Sequence, residues 1–165
     1  MRKVIVVIFS VCMLVACSTS KLTSEQKTVK RAQVTQQVRQ AVDDRAYTVE
    51  MNYIYPQRMA SRHLDYGYSL RISGDSIYSY LPYFGRAYSV PYGGGNGLNF
   101  KGVMDYYKVT RTKKDCTDVV LGVKDDGDEY QYTLNIYDNG TVSLGVFSRN
   151  RESISFGGQM TIKEN

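Results

Sequence analysis

The sequence predicts a mainly β protein: an antiparallel meander of about eight or nine strands, forming a barrel-like or sandwich domain, with one N-terminal α-helix. Three observations lead there. From Tyr47 onward, apolar residues recur at every second position, the period of a half-buried strand. Short clusters of Gly, Asp, Asn and Ser separate these runs, and such residues form turns. Only the stretch 27–46 lacks Gly and Pro and spaces its apolar residues helically. Short turns make successive strands antiparallel, and one apolar face per strand implies one buried side. A sheet of that many strands must curl or split into two layers to cover its apolar face and edges.

The chain begins with an address. Arg2 and Lys3 follow the first Met, and Val4 to Ala16 then runs without a charge. This is the form of a secretory signal, and it is shorter than the ~20 apolar residues of a membrane-spanning helix. It ends Leu14-Val15-Ala16-Cys17, with polar Ser18-Thr19-Ser20-Lys21 behind it. That order resembles the lipobox of bacterial lipoproteins, whose Cys is acylated, with palmitate among the acids used. The expected organisation is a signal peptide over 1–16, lipidated Cys17 and a polar tether over 17–24, and a single helix-plus-β domain over 25–165. The lipid would then be the one membrane attachment, at the outer membrane and on its periplasmic face. More than one acyl chain on a Cys gives stable anchoring.

Cysteine and charge fit that organisation. Cys12 would leave with the signal and Cys17 would carry lipid, so Cys116 alone remains and no internal disulfide can form. Losing Arg2 and Lys3 lowers a net charge that is only +5. A balance that small is no nucleic-acid footprint, which needs clustered Lys and Arg. With 42% apolar and 22% charged residues, the chain is not a disordered one.

The helix starts at Thr23-Ser24-Glu25-Gln26, with Thr23 as N-cap and Gln26 three residues on. Val34, Val38, Ala41 and Val42 then share one face. The stripe is thin, suited to one contact with a sheet edge or barrel mouth. The first strand reads as Tyr47, Val49, Met51, Tyr53 and Tyr55 on one face. Tyr66, Tyr68, Leu70 and Ile72 form the next, and Ser73-Gly74-Asp75 turns the chain into Ser76–Leu81. After a Gly-rich stretch, Leu98–Val103 and Tyr106–Arg111 read as two strands. Further faces are Thr117, Val119, Leu121, Val123; then Tyr130, Tyr132, Leu134, Ile136; then Val142, Leu144, Val146; and last Ile154, Phe156, Met160, Ile162. Asn139-Gly140 is the strongest hairpin signal and suggests a type I′ turn.

Little here supports catalysis. His63 is the only imidazole, set in a polar connection between strands, with no defined nucleophile as partner. Cys116 lacks a neighbouring His to make it reactive. With one His and three Cys, a His or Cys metal site is nearly excluded by inventory. Asp125, Asp126, Asp128 and Glu129 cluster around Gly127, but not at EF-hand spacing, and read as a solvated hairpin tip. No phosphate-loop or dinucleotide motif is present, so no cofactor or metal is expected.

The unusual stretch is Ser79 to Phe100. It holds Tyr80, Tyr83, Phe84, Tyr88 and Tyr92, four glycines between 93 and 97, and one cation, Arg86. Most connections are short and polar. Two readings stand. The aromatics plug the barrel end, or Tyr83, Phe84, Arg86, Tyr88, Tyr92, Asn96 and Asn99 form a surface that recognises a sugar, a peptide or an envelope protein.

Tyr80-Leu81-Pro82-Tyr83-Phe84-Gly85-Arg86-Ala87-Tyr88 also carries a family likeness. So do Met51-Asn52-Tyr53-Ile54-Tyr55-Pro56, Pro91-Tyr92-Gly93-Gly94-Gly95 and Ser148-Arg149-Asn150-Arg151-Glu152-Ser153-Ile154-Ser155-Phe156-Gly157-Gly158. Together with the lipobox, they resemble the Bacteroidetes envelope lipoproteins known as domain of unknown function 4251, over about residues 25–163. The resemblance implies an envelope location and one domain, and it brings no catalytic residue. The leading expectation is thus a non-enzymatic, lipid-anchored binding module using residues 79–100. The alternative is a structural or assembly lipoprotein with no ligand. A hydrolase using Asp65, Asp75 or Asp105 ranks third, because no paired-carboxylate or Ser/His/Asp pattern supports it.

Overall fold

Helix α1 spans Ser24–Asp43. The structure is a computed structural model that describes residues 24–65, 67–88, 97–125 and 127–161. Cys17 and its lipobox, the tether, the Thr23 cap, Tyr66, Tyr92, Asn96 and Ile162 lie outside the described residues. The chain divides into two units, residues 1–30 and 31–165. In the first, the described residues form the opening turns of α1, where the Thr28 hydroxyl donates to the Ser24 carbonyl at 3.0 Å.

Nine strands follow: β1 (Ala46–Pro56), β2 (Arg62–His63), β3 (Ser69–Ser73), β4 (Ser76–Leu81), β5 (Leu98–Lys113), β6 (Cys116–Asp125), β7 (Asp128–Tyr137), β8 (Thr141–Ser148) and β9 (Ile154–Met160). Every pairing between them is antiparallel, and β3 to β9 pair in chain order. Strand β1 closes the ring. It pairs with β3 through Ala46–Glu50 and with β9 through Val49–Pro56. The result is a closed eight-stranded barrel, with β2 added beside Tyr53 and Ile54. Eight strands leave an interior that side chains can fill. Met51, Leu70, Leu81, Leu121, Tyr132, Leu134 and Phe156 are among those buried there.

Val38 and Val42 of α1 are buried, while Val34 and Ala41 pack partly against the core, as their spacing predicts. Polar contacts fix this segment at the barrel end that holds the β3–β4 and β7–β8 turns. Arg39 grips Asp138 with two nitrogens, at 3.1 and 2.9 Å, and reaches the Lys114 carbonyl. The Tyr107 hydroxyl donates to the last-turn carbonyl of Val42, and Arg111 pairs with Asp43.

Four expectations change in detail. A bulge lies between Met51 and Tyr53, so Asn52 and Tyr53 both face outward. Ile54 and Pro56 then point inward, and Tyr53 and Tyr55 lie outside the barrel, not on the core face read from the sequence. One extra residue reverses the phase of everything beyond it. The two strands expected over 98–111 are one long β5, which carries an irregularity between Met104 and Tyr106. At the β7–β8 turn, Gly140 has φ 83° and Asn139 is not left-handed. The Gly140 amide donates to the Tyr137 carbonyl, so this is a three-residue loop ending in a left-handed Gly rather than a type I′ turn. His63, expected in a connection, forms β2 instead.

Outward positions on β5 include Lys101, Asp105 and Lys108, and inward positions across the barrel are mostly apolar, with Ser79, Thr117 and Asp128 the buried polar exceptions among the described strand residues. That is the reverse of an outer-membrane barrel, whose apolar face meets lipid. No helix among the described residues is long and apolar enough to cross a membrane.

Candidate binding site

Residues 82–88, after β4, lie at the barrel end opposite Val38 and Val42, where they meet the chain between β8 and β9. The contact is built from backbone groups. The Tyr88 amide donates to the Asn150 carbonyl at 2.7 Å and the Glu152 amide to the Arg86 carbonyl at 2.9 Å, while Ala87 bridges to Arg151. Side chains reinforce it. The Tyr83 hydroxyl lies 2.9 Å from the carbonyls of both Arg86 and Glu152 and shares its proton between them. Tyr83 also lies across Gly85, where a Cβ would meet its hydroxyl at 2.6 Å.

Glu152 is the anchor of this clamp. Its carboxylate is nearly inaccessible, accepts from Arg58 Nε at 2.5 Å and from the Arg86 amide at 3.3 Å. The Arg58 hydrogen bond holds it below the usual carboxylate range, overcoming the opposing effect of burial. A second buried pair lies alongside. Asp128 accepts from the Ser148 hydroxyl at 2.6 Å and from its neighbour's amide. Arg151 sits over the Tyr83 ring, with Nε 3.9 Å from Asp128 and no hydrogen-bond partner. Asp128 is therefore not the solvated turn residue that its acidic neighbours suggested. Deeper in, Tyr130 is pushed up to about 12 by burial, and Tyr132 is raised further, its hydroxyl 3.0 Å from that of Ser79.

The seven candidate binding residues separate accordingly. Tyr83 and Phe84 are half-buried and used in packing, with the Arg62 guanidinium 4.5 Å from the Phe84 ring centre. Arg86 and Tyr88 expose their side chains, Tyr88 at 68%. Asn99 is exposed on β5, opposite Tyr80 of β4. Tyr92 and Asn96 lie outside the described residues. Sequence reasoning missed Arg58, Asp128, Arg151 and Glu152, which no spacing rule connects to residues 83–88.

The candidate catalytic groups are dispersed. His63 is exposed and meets the Tyr53 ring edge-on at 5.0 Å. Cys116 is buried, its thiol pushed up by burial and by Asp118. Asp75 pairs with Arg45 and Asp105 with Lys124. Among the described residues, no group of three or more His, Cys, Asp or Glu could hold a metal ion. Among the described residues, open concavities of about 600 and 650 Å³ lie beside residues 37–44 and on the outer wall near Tyr106, and neither is lined by residues 83–88.

Residues 29–160 match the family described as domain of unknown function DUF4251. The chain belongs to that family. Its fold is similar to the crystal structure of a DUF4251 family protein from Bacteroides eggerthii DSM 20697, with a TM-score of 0.61 and 12% identity. The likeness covers 79% of this chain and 89% of the other. No curated protein matches.

Proposed function

We propose that this protein is a non-enzymatic binding module, held to the bacterial envelope by lipid on Cys17, that recognises its partner through Arg86 and Tyr88. The observation behind this reading is the clamp. Backbone bonds to Asn150 and Glu152 fix the segment, yet leave the Arg86 and Tyr88 side chains exposed. A rigid support lowers the ordering cost of binding. Arg supplies a planar fork for a carboxylate or phosphate, and Tyr adds a flat face and a hydroxyl. The partner class is therefore an envelope peptide or glycan bearing an acidic group. A second reading, an assembly lipoprotein without a ligand, draws on Tyr83 and Phe84, whose rings pack rather than face solvent.

Two measurements test the proposal. Cys17→Ala should abolish palmitate labelling and release the protein from membranes. A photo-crosslinking residue at position 88 should give a discrete adduct in intact cells, lost in Arg86→Ala. The same probe at Val103, 70% exposed on β5, should give none. Equal labelling at both positions would favour the second reading.

A further inference from the structure

The outer wall of the barrel carries a second arrangement, built on β1 and its neighbours β9, β8 and β7. The bulge at Asn52 turns Tyr53 and Tyr55 out of the core. Bulges re-aim side chains at the cost of a ladder bond, so the turned residues merit a purpose. The two rings are 46% and 47% exposed, lie 18° from parallel and have centres 6.4 Å apart. His63 braces Tyr53 from the edge. Gly157 makes room beside Tyr55, whose hydroxyl would lie 3.3 Å and ring edge 3.4 Å from an added Cβ.

Register extends the arrangement across the wall. Tyr55 stands opposite Ser155, which stands opposite Gly145 and then Thr133. Tyr53 stands opposite Gly157, then Ser143, then Asn135. Each row crosses four strands, about 14 Å at the usual strand spacing. Neither row carries a charge, and past the rings they hold only Ser, Thr, Gly and one amide, with the exposed Phe147 ring lying against Gly145. The hydroxyls of Ser143 and Ser155, both exposed, make no hydrogen bond within the described residues. The contrast with the Lys101, Asp105 and Lys108 wall on β5 is direct.

We infer that this wall binds a neutral, extended glycan. Tyr53 and Tyr55 stack on the apolar faces of successive sugar rings, while Ser143 and Ser155 bond sugar hydroxyls. Flat aromatic faces beside short hydroxyl groups suit a ligand that is itself half apolar face and half hydroxyl edge. The other occupants fit less well. Strands β7, β8 and β9 are paired on both sides, and the free edge beside Tyr53 is the two-residue β2, too short to template an added strand. An anionic lipid surface would want cations, and the wall has none.

The full chain in detergent can be run through native gels containing a mixed-linkage β-glucan, a mannan, a xylan, soluble starch or, as acidic control, polygalacturonate. At least one neutral polymer should retard it. The Tyr53→Ala/Tyr55→Ala double variant should bind about tenfold or more weakly, and the Tyr→Phe pair within about threefold of the original. Ser143→Glu, an exposed change that leaves both rings in place, should also weaken binding about tenfold. Arg86→Ala should change nothing, which separates this site from the one proposed above. Retardation by no neutral polymer, or retardation untouched by these variants, overturns the inference. So does a concentration-dependent dimer abolished by Ser143→Glu, since the wall would then join two copies of this chain.

Discussion

Glu152 shows how one residue organises a segment. Its carboxylate joins three stretches of chain, through Arg58 beyond β1, Arg86 after β4 and its own position before β9. Because Arg58 holds its pKa down, the ionised form favours the folded protein. That contribution is present above the ordinary glutamate range and is lost as pH falls through the lowered folded value. Melting temperature should therefore drop more steeply on acidification in the original chain than in Glu152→Gln, and the two curves should converge at the acid end. Parallel curves would mean that the Arg58 pair, exposed on its arginine side, is screened to nothing. Nothing in the sequence links positions 58, 86 and 152.

At the scale of the element, alternation is reliable wherever the ladder is regular. Strand β7 runs from Asp128 to Tyr137 without a break, buried at Tyr130, Tyr132, Leu134 and Ile136. Leu134→Ala should cost about 2–5 kcal/mol, as large-to-small core changes do. Thr133→Ala, on the outer face, should cost less than about 1 kcal/mol. Chemical denaturation of the two variants checks the register, and equal losses would place both positions in the core. Strand β1 is the counterexample. Its alternation looks unbroken through Tyr55, yet the bulge reverses it after Met51. The signal for the bulge sits in β9, where a Cβ at Gly158 would overlap the Glu50 carbonyl oxygen. A glycine pair in a strand is ambiguous until its partner strand is known.

Closure of the whole molecule depends on the pairing between its first and last strands. Strand β9 bonds to β8 on one side and β1 on the other, and brings Ile154, Phe156 and Met160 into the core. Burying each such side chain is worth roughly 1.5–3 kcal/mol, against a total stability of about 5–15 kcal/mol for a domain. A chain ending at Ser153 should therefore lose cooperative thermal unfolding by circular dichroism. A retained sharp transition would show that the other seven strands suffice without closure. Closure also joins positions about a hundred residues apart, so folding should be slow for a domain of this size.

The sequence by itself determined the mainly β class, the antiparallel order, the helix and its thin apolar face, because hydrophobic period and turn chemistry are local. It also supplied the exposed pair Arg86 and Tyr88, since a long aromatic, Gly-rich connection stands out by composition alone. Only the tertiary structure decided that the sheet closes, that Tyr53 and Tyr55 face outward, and that Asp128 and Glu152 are buried with Arg151 over the Tyr83 ring. Each of those depends on which strand lies beside which. Such neighbours are set by the balance of pairing and burial over the whole chain, and no window of residues contains it.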